Sequence, residues 1–424
     1  MELEIVSREI IKPSSPTPSH LRTFNFCYFD KMAGRMYVPV VLFYNPAAGA
    51  CAVEKSNLLK KSLSETLALY YPFAGRVVDA KYIDCTDEGV TYLEAKIHAK
   101  LSEVLRNPDN ETLDLLFADN LQWEDTNLST LLAVQVSYFE CGGMAISMCM
   151  SHKLGDAATL ITFIKDWAAM ASNSGEHLIP LFDITSMFPQ DDIPIGKEHV
   201  NDKGKLATRR FVFDALKIAA LKAIVAQKVH NPTKVEVVTA LLFKCASSTS
   251  GGRAVLCQNI NLRSRLVPPM QENFVGNLAW FFSVPKLEED GEIELPGFVG
   301  QMKEALAEFC NTYASKFRGK EWCLSIQQHM KKAKELSGSG TAKYICSSWC
   351  RLPIYEVDFG WGKPVWARIG SRAGKNVSIL LDTRSGDGIE AFVTLEEQDM
   401  AKFERNEELL AFATFNPNPI EELS

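Results

Sequence analysis

The chain has 424 residues, of which 46% are hydrophobic and 23% charged, with a formal net charge of −7. That length can bury a large core and suits two domains better than one, while the acidic balance without a basic block argues against nucleic-acid binding. No apolar run reaches the ~18 residues a membrane helix needs, and Met1 to Arg8 lacks the basic start and apolar stretch of a secretory signal.

In chain order, Pro13 to Pro18 is a stiff, extended lead-in. Met36 to Tyr44 is strongly apolar and β-like. Leu58 to Leu69 is helical, with a broad leucine face, and stops at Tyr71-Pro72-Phe73-Ala74-Gly75-Arg76. Tyr82 to Cys85 and Val90 to Ile97, joined by Asp87-Glu88-Gly89, predict a hairpin. Ala99 to Gln122 is polar and irregular, with room for a short helix.

Leu132 to Phe139 and Met144 to Met150 flank Glu140-Cys141-Gly142-Gly143, and Gly-Gly between β-prone runs signals a hairpin. After Asp156 the period changes: Leu160, Phe163, Ile164 and Trp167 share one helical face. His152 therefore sits where a buried strand hands over to a helix.

Phe182 to Arg210 loses periodicity and gathers prolines, glycines and charges, which marks the interdomain crossover. We place the first domain at 1–190, the linker at 191–208 and the second domain at 209–424, with part of 360–395 a candidate to pack against the first domain. Asp214 and Thr233 suit the N-caps of helices running to about Val229 and Ser247. Ala254 to Leu262 is β-like, and Phe298 to Phe317 and Trp322 to Leu336 are amphipathic helices. Tyr344 to Trp349, Val365 to Ile369, Val377 to Asp382 and Ile389 to Thr394 read as strands, and Glu396 to Phe415 as a closing helix. Both halves mix strands with helices, so the fold class is α/β, as two similar-sized mixed domains.

Eleven cysteines, an odd number without C-x-x-C spacing, fit reduced thiols in a cytoplasmic protein. The seven histidines show no ligand spacing, so no metal is expected. His152 is followed four residues later by Asp156 across a glycine turn. An imidazole held close to a hydroxyl, with a pKa near the working pH, suits a general base. Asp156 has two readings, one acting on the imidazole and one serving the turn and the helix dipole. Alone, H-x-x-x-D is a weak pattern, and a structural histidine is the default. Asp358-Phe359-Gly360-Trp361-Gly362 is a second unusual stretch, whose glycines around a tryptophan specify a fixed backbone course.

Together, in this order and about 200 residues apart, the two motifs resemble the paired signature of the plant BAHD acyltransferases. Tyr71 to Arg76, Asn261 to Arg265 with Pro268-Pro269, Gly276-Asn277 and Asp382 to Gly388 are also similar to that family, and the likeness runs from about Glu4 to the C-terminal helix. The resemblance implies two domains of the CoA-dependent acyltransferase type with a channel between them. His152 is then the general base for an acceptor attacking the thioester of an acyl-CoA. Asp156 points away from the channel and pairs with Arg263. The loop of Asp358, Phe359, Gly360, Trp361 and Gly362 lies off the acyl-transfer centre, shaping the second domain and the CoA side of the channel. Ser347 and Trp349 match a segment near the reacting carbonyl, as channel wall or oxyanion donors. Thr233 and Lys234, at a helix N-terminus, are one place for a CoA phosphate.

The motif neighbourhoods look most like the branch that acetylates alkaloid alcohols, which also holds acyl-sugar and terpenoid-alcohol acyltransferases. Acetyl-CoA is the expected co-substrate, with no tightly bound cofactor, a small-molecule alcohol as acceptor, and a monomer free of nucleic acid and membrane. Condensation-type domains would carry H-H-x-x-x-D-G, whereas Ser151 precedes His152 and Ala157 follows Asp156; no G-x-S-x-G suggests a hydrolase. The non-enzyme alternative is a catalytically silent relative acting as an interaction protein, against which the intact motifs argue.

Overall fold

A computed structural model of the chain describes residues 1–47, 51–79, 81–118, 121, 130–175, 177–189, 204–286, 292–317, 321–371 and 373–420. The first sheet has the order β1 (Leu3–Ile11), β6 (Val90–Ile97), β7 (Leu132–Phe139), β8 (Met144–Ser151), β3 (Tyr37–Tyr44) and β13 (Trp366–Ile369). Strands β3 and β8 are apolar and buried along their whole length because both faces of the sheet are covered. Alternate residues of β3 divide between the two faces, as the period of two requires. Val38, Val40, Leu42 and Tyr44 meet the helices Ala52–Leu69 and Ala157–Ser172, while Tyr37, Val41 and Phe43 meet the short helices Leu101–Arg106 and Asn110–Asp114.

The second sheet runs β11 (Ala279–Pro285), β10 (Ala254–Asn261), β12 (Ala342–Ser348), β14 (Val377–Asp382), β15 (Ile389–Glu396), β9 (Leu206–Phe213) and β16 (Thr414–Phe415). Helices Ala215–Val225, Lys234–Ser250 and Leu295–Glu308 contribute to its core. Asp214 caps the first of these through Lys217 N, and Thr233 caps the second in a capping box with Glu236, as their types and positions predict. A small third sheet joins β2 (Thr23–Asn25), β5 (Tyr82–Asp84) and β4 (Arg76–Val78).

The two halves exchange segments. Of the stretch 360–395, β13 joins the first sheet, pairing with β3 in the register Trp366↔Phe43, and the two rings stack at 5.3 Å. The indole N–H of Trp366 donates to Glu390 on β15, beside Arg210 on β9, so the strand is fastened to both sheets. In return Cys27, Tyr28 and Phe29 pack into the second core.

Several expectations are corrected. Tyr82–Asp84 and Val90–Ile97 are no hairpin: β5 belongs to the small sheet, while β6 pairs antiparallel with β1 and parallel with β7. Asp87 and Gly89, both at positive φ, carry the chain between the two sheets. The helix expected to Phe317 ends at Glu308 and continues as a wider π turn, Phe309–Tyr313. The closing helix divides into Glu397–Phe403 and Glu407–Phe412, because Asn406 starts a new N-cap, and the chain ends its second sheet as β16. Strand β9 starts at Leu206, inside the stretch assigned to the linker; residues 191–203 of that stretch, and Gln122, lie outside the described residues.

Candidate active site

The hairpin β7–β8 turns at Gly142, whose φ of 84° favours glycine, and delivers Ser151 to the buried seam between the two halves. The next residue, His152, is fixed through its backbone on both sides. Its N–H donates to Met36 O at 2.8 Å, and its carbonyl accepts from Asn277 Nδ2 at 2.8 Å. Asn277 in turn donates twice to Asp30 Oδ1, at 2.9 Å each, so a residue of the second half is clamped onto the first. The buried Lys153 ammonium donates to the carbonyls of Asp30, Lys31 and Ala33, which compensate its charge from the opposite side of the turn.

The His152 side chain lines a cavity of about 280 Å³ between the halves, with Met36, Asn259, Ile260, Ser347, Trp349 and Ile379 among its walls. Burial drives the imidazole below its ordinary range, opposed by its own backbone carbonyl and by the negative charge of Asp156. Burial therefore favours the neutral ring, the state a base requires.

Asp156 borders the same cavity, but its carboxylate is committed elsewhere. Oδ1 accepts from Thr159 N at 3.0 Å, capping the following helix; Oδ2 accepts from Leu278 N at 2.9 Å and from Arg263 Nη1 at 2.8 Å. Burial would raise this carboxyl, but the Arg263 charge and these hydrogen bonds outweigh it and hold it below the usual range. Arg263, its side chain 1% exposed, also donates to Phe274 O, Gly276 O and Thr159 Oγ1. Of the two readings of Asp156, the geometry matches the one that holds the turn and bridges the halves.

The loop at Asp358 folds on itself. Its Oδ1 accepts from Gly360 N at 2.8 Å and Gly362 N at 2.9 Å, with φ of 103° and 100° at those glycines. Phe359 is fully buried, edge-on to Trp167 at 4.9 Å and stacked on Trp361 at 5.5 Å. The loop lies off the His152 cavity, as expected, but it does not shape the second domain. Its aromatic rings belong to the first core, because Tyr44 and Trp167 supply the faces they pack against. Asp358 and Gly360 line a second cavity of about 390 Å³, which meets the His152 cavity at Ala158, Asn261 and Leu352.

Ser347 and Trp349 come to the His152 cavity, as their motif position implies. Thr233 and Lys234 do not. Thr233 is used in its capping box, and the Lys234 ammonium meets Asp382 Oδ1 at 2.7 Å and the carbonyls of Gly386 and Gly388. Its ammonium is engaged in the 382–388 turn. Sequence reading missed Asp30, Lys153 and Asn259; nothing local marked Asp30, whose partner Asn277 is 247 residues away. Gly276-Asn277 stood out as a motif without a role. Among the described residues no cluster of three or more His, Cys, Asp or Glu could hold a metal, and no helix is long and apolar enough to cross a membrane.

Comparison with known proteins adds to this geometry. The Transferase family model matches residues 1–410. The chain is 41% identical over 424 residues to 17,18-epoxy-17-hydroxycur-19-ene N-malonyltransferase of Strychnos nux-vomica, covering 97% of this chain and 91% of that one. It is 37% identical over 460 residues to limonoid 7-O-acetyltransferase of Citrus sinensis, covering 99% and 100%. Its fold is similar to the crystal structure of vinorine synthase, with a TM-score of 0.87 and 32% identity, covering 99% of this chain and 100% of that one. By family model, relatives, two-domain mixed α/β fold and the paired motifs at His152 and Asp358, this chain belongs to the BAHD acyltransferases of the Transferase family, enzymes that transfer acyl groups other than aminoacyl groups.

Proposed function

We propose that this enzyme transfers an acetyl group from acetyl-CoA to a hydroxyl of an apolar plant specialised metabolite, an alkaloid alcohol in the first instance, with His152 as general base. The observation that carries the reading is an imidazole held by its backbone on both sides and facing a largely apolar cavity between the two halves, with burial favouring its neutral form. In the reaction the acceptor oxygen attacks the thioester carbonyl as its proton passes to the free ring nitrogen of His152. The carbon–sulfur bond then breaks, and the proton returns to the departing thiolate. The thioester is already activated, so the residues present need supply only orientation, proton transfer and stabilisation of the developing oxyanion, a role this reading assigns to Ser347 and Trp349 on the cavity wall. The eleven free thiols fit a monomer working in the reducing cytoplasm.

A second reading, malonyl transfer or an amine acceptor, is supported by the name of the Strychnos nux-vomica relative. An acyl-sugar or terpenoid alcohol within the same branch is a narrower variant, supported by the Citrus sinensis relative on the terpenoid side. The test is thiol release from acetyl-CoA and malonyl-CoA with a panel of alcohols and amines, wild type against His152→Ala. A general base contributes about 10²–10⁴-fold, and the variant should lose that much. Activity that survives the substitution removes His152 from the chemistry, and preference for malonyl-CoA replaces acetyl as the donor.

A further inference from the structure

On the second sheet, the residues of β10 alternate in exposure: Leu256, Gln258 and Ile260 are buried, while Cys257, Asn259 and Asn261 are half-buried. Asn259 and Asn261 on this half-buried face line the His152 cavity. Across the sheet, Asn259 pairs in register with Phe281 of β11 and with Ser347 of β12, and Ser347 with Ile379 of β14. One row of the sheet therefore reads Phe281, Asn259, Ser347, Ile379, an amide and a hydroxyl side by side between apolar neighbours.

The two asparagines differ in what they are free to do. Asn261 Oδ1 accepts from Arg263 N at 3.0 Å and from Arg263 Nη1 at 3.4 Å, so it serves the Asp156–Arg263 bridge. Neither the Asn259 side-chain amide nor the Ser347 hydroxyl has a partner among the described residues, and both line the cavity that holds His152. Asn259 lies one pleat beyond Asn261, about 7 Å further along β10. Asn261 pairs with Ala279, two residues from the Asn277 that holds His152, so Asn259 lies one step further along the strand from that clamp.

We infer that Asn259 reads a second oxygen on the acceptor, a ketone or hydroxyl carried by a rigid apolar skeleton, away from the hydroxyl that His152 deprotonates. This rests on the reading of His152 as the base. When an apolar skeleton enters, it displaces the water that satisfies the amide in the free enzyme. An acceptor with no oxygen at that place strands a desolvated amide, and a site built around a hydrogen bond discriminates more strongly than an apolar wall does. The acceptor's skeleton, rather than the pantetheine arm, fits this part of the cavity, because Ile345, Val377 and Ile379 border the pair. Asn259 is thus a specificity residue that touches substrate away from the reacting atoms.

The experiment compares rigid polycyclic mono-alcohols with keto-alcohols and diols of the same skeleton whose two oxygens lie at graded separations. Each is assayed with acetyl-CoA, using wild type, Asn259→Leu and Asn259→Thr. Wild type should prefer the doubly oxygenated members by about 10–100-fold in kcat/KM, within the range that a stranded polar group produces. Asn259→Leu should erase that preference through the KM of the doubly oxygenated acceptor, not that of acetyl-CoA. Asn259→Thr, which keeps a hydroxyl on a strand, should restore part of it. Equal use of both acceptor classes by wild type, a preference that persists in Asn259→Leu, or a change confined to the KM of acetyl-CoA overturns the inference. So does the case in which simple alcohols are acetylated but no polycyclic one is. In all of these the reading of His152 stands; it falls only if His152→Ala keeps wild-type thiol release.

Discussion

Replacing Asp156 by alanine separates a catalytic role from a structural one. The substitution removes the partner of Arg263 at 2.8 Å, the cap on Thr159 N and the acceptor of Leu278 N, at a site where the side chains are 7% and 1% exposed. Breaking a buried ion pair from one side costs about 3–5 kcal/mol. Arg263 keeps the carbonyls of Phe274 and Gly276, so the loss should fall toward the lower end of that range. Urea unfolding followed by tryptophan fluorescence and circular dichroism measures it, alongside turnover normalised to folded protein. The folded-state pKa of Asp156 lies below its unfolded value, so its contribution is present above the unfolded value near ~3.9 and is lost as the pH falls through the folded one. Wild type and variant should therefore converge in strong acid. A variant as stable as wild type but without turnover would refute the reasoning and make Asp156 part of the chemistry.

Two other perturbations follow from the same geometry. Because burial lowers the pKa of His152, kcat/KM should rise with pH along a limb centred below the ordinary ~6.5 and be level above neutrality. A pH–rate profile limited by chemistry checks this, and a limb centred above ~7 contradicts a desolvated neutral base. Phe359→Ala empties a fully buried site between Trp167, Tyr44 and Trp361 and should cost about 3–5 kcal/mol, with the His152 limb unmoved in the folded fraction. Unchanged stability would mean that the loop does not hold the first core.

The two motifs were legible because each is local. His152 follows a hairpin and precedes a helix whose cap is Asp156, and strand period, turn residues and cap residues are all set within a few positions. The helix starts at Asp214 and Thr233 were read on the same basis. The hairpin assigned to Tyr82–Ile97 failed because adjacent strands need not share a sheet. Partners for β6 come from residues 3–11 and 132–139, and no local period records that choice.

The sequence by itself determined where the histidine, the glycine-framed aromatic loop and the helix caps lie, since backbone preference and hydrophobic period are properties of short segments. Only the tertiary structure decided what those residues do for one another. It brought Asp30 and Asn277 together behind His152, gave Asp156 to Arg263, and placed β13 and the Phe359 loop in the opposite half. It also left the Asn259 amide free in the His152 cavity while engaging Asn261 and Lys234. These are contacts between residues a hundred or more positions apart, or choices of partner made by packing. Burial at the seam is what turns them into charge pairing and a neutral imidazole.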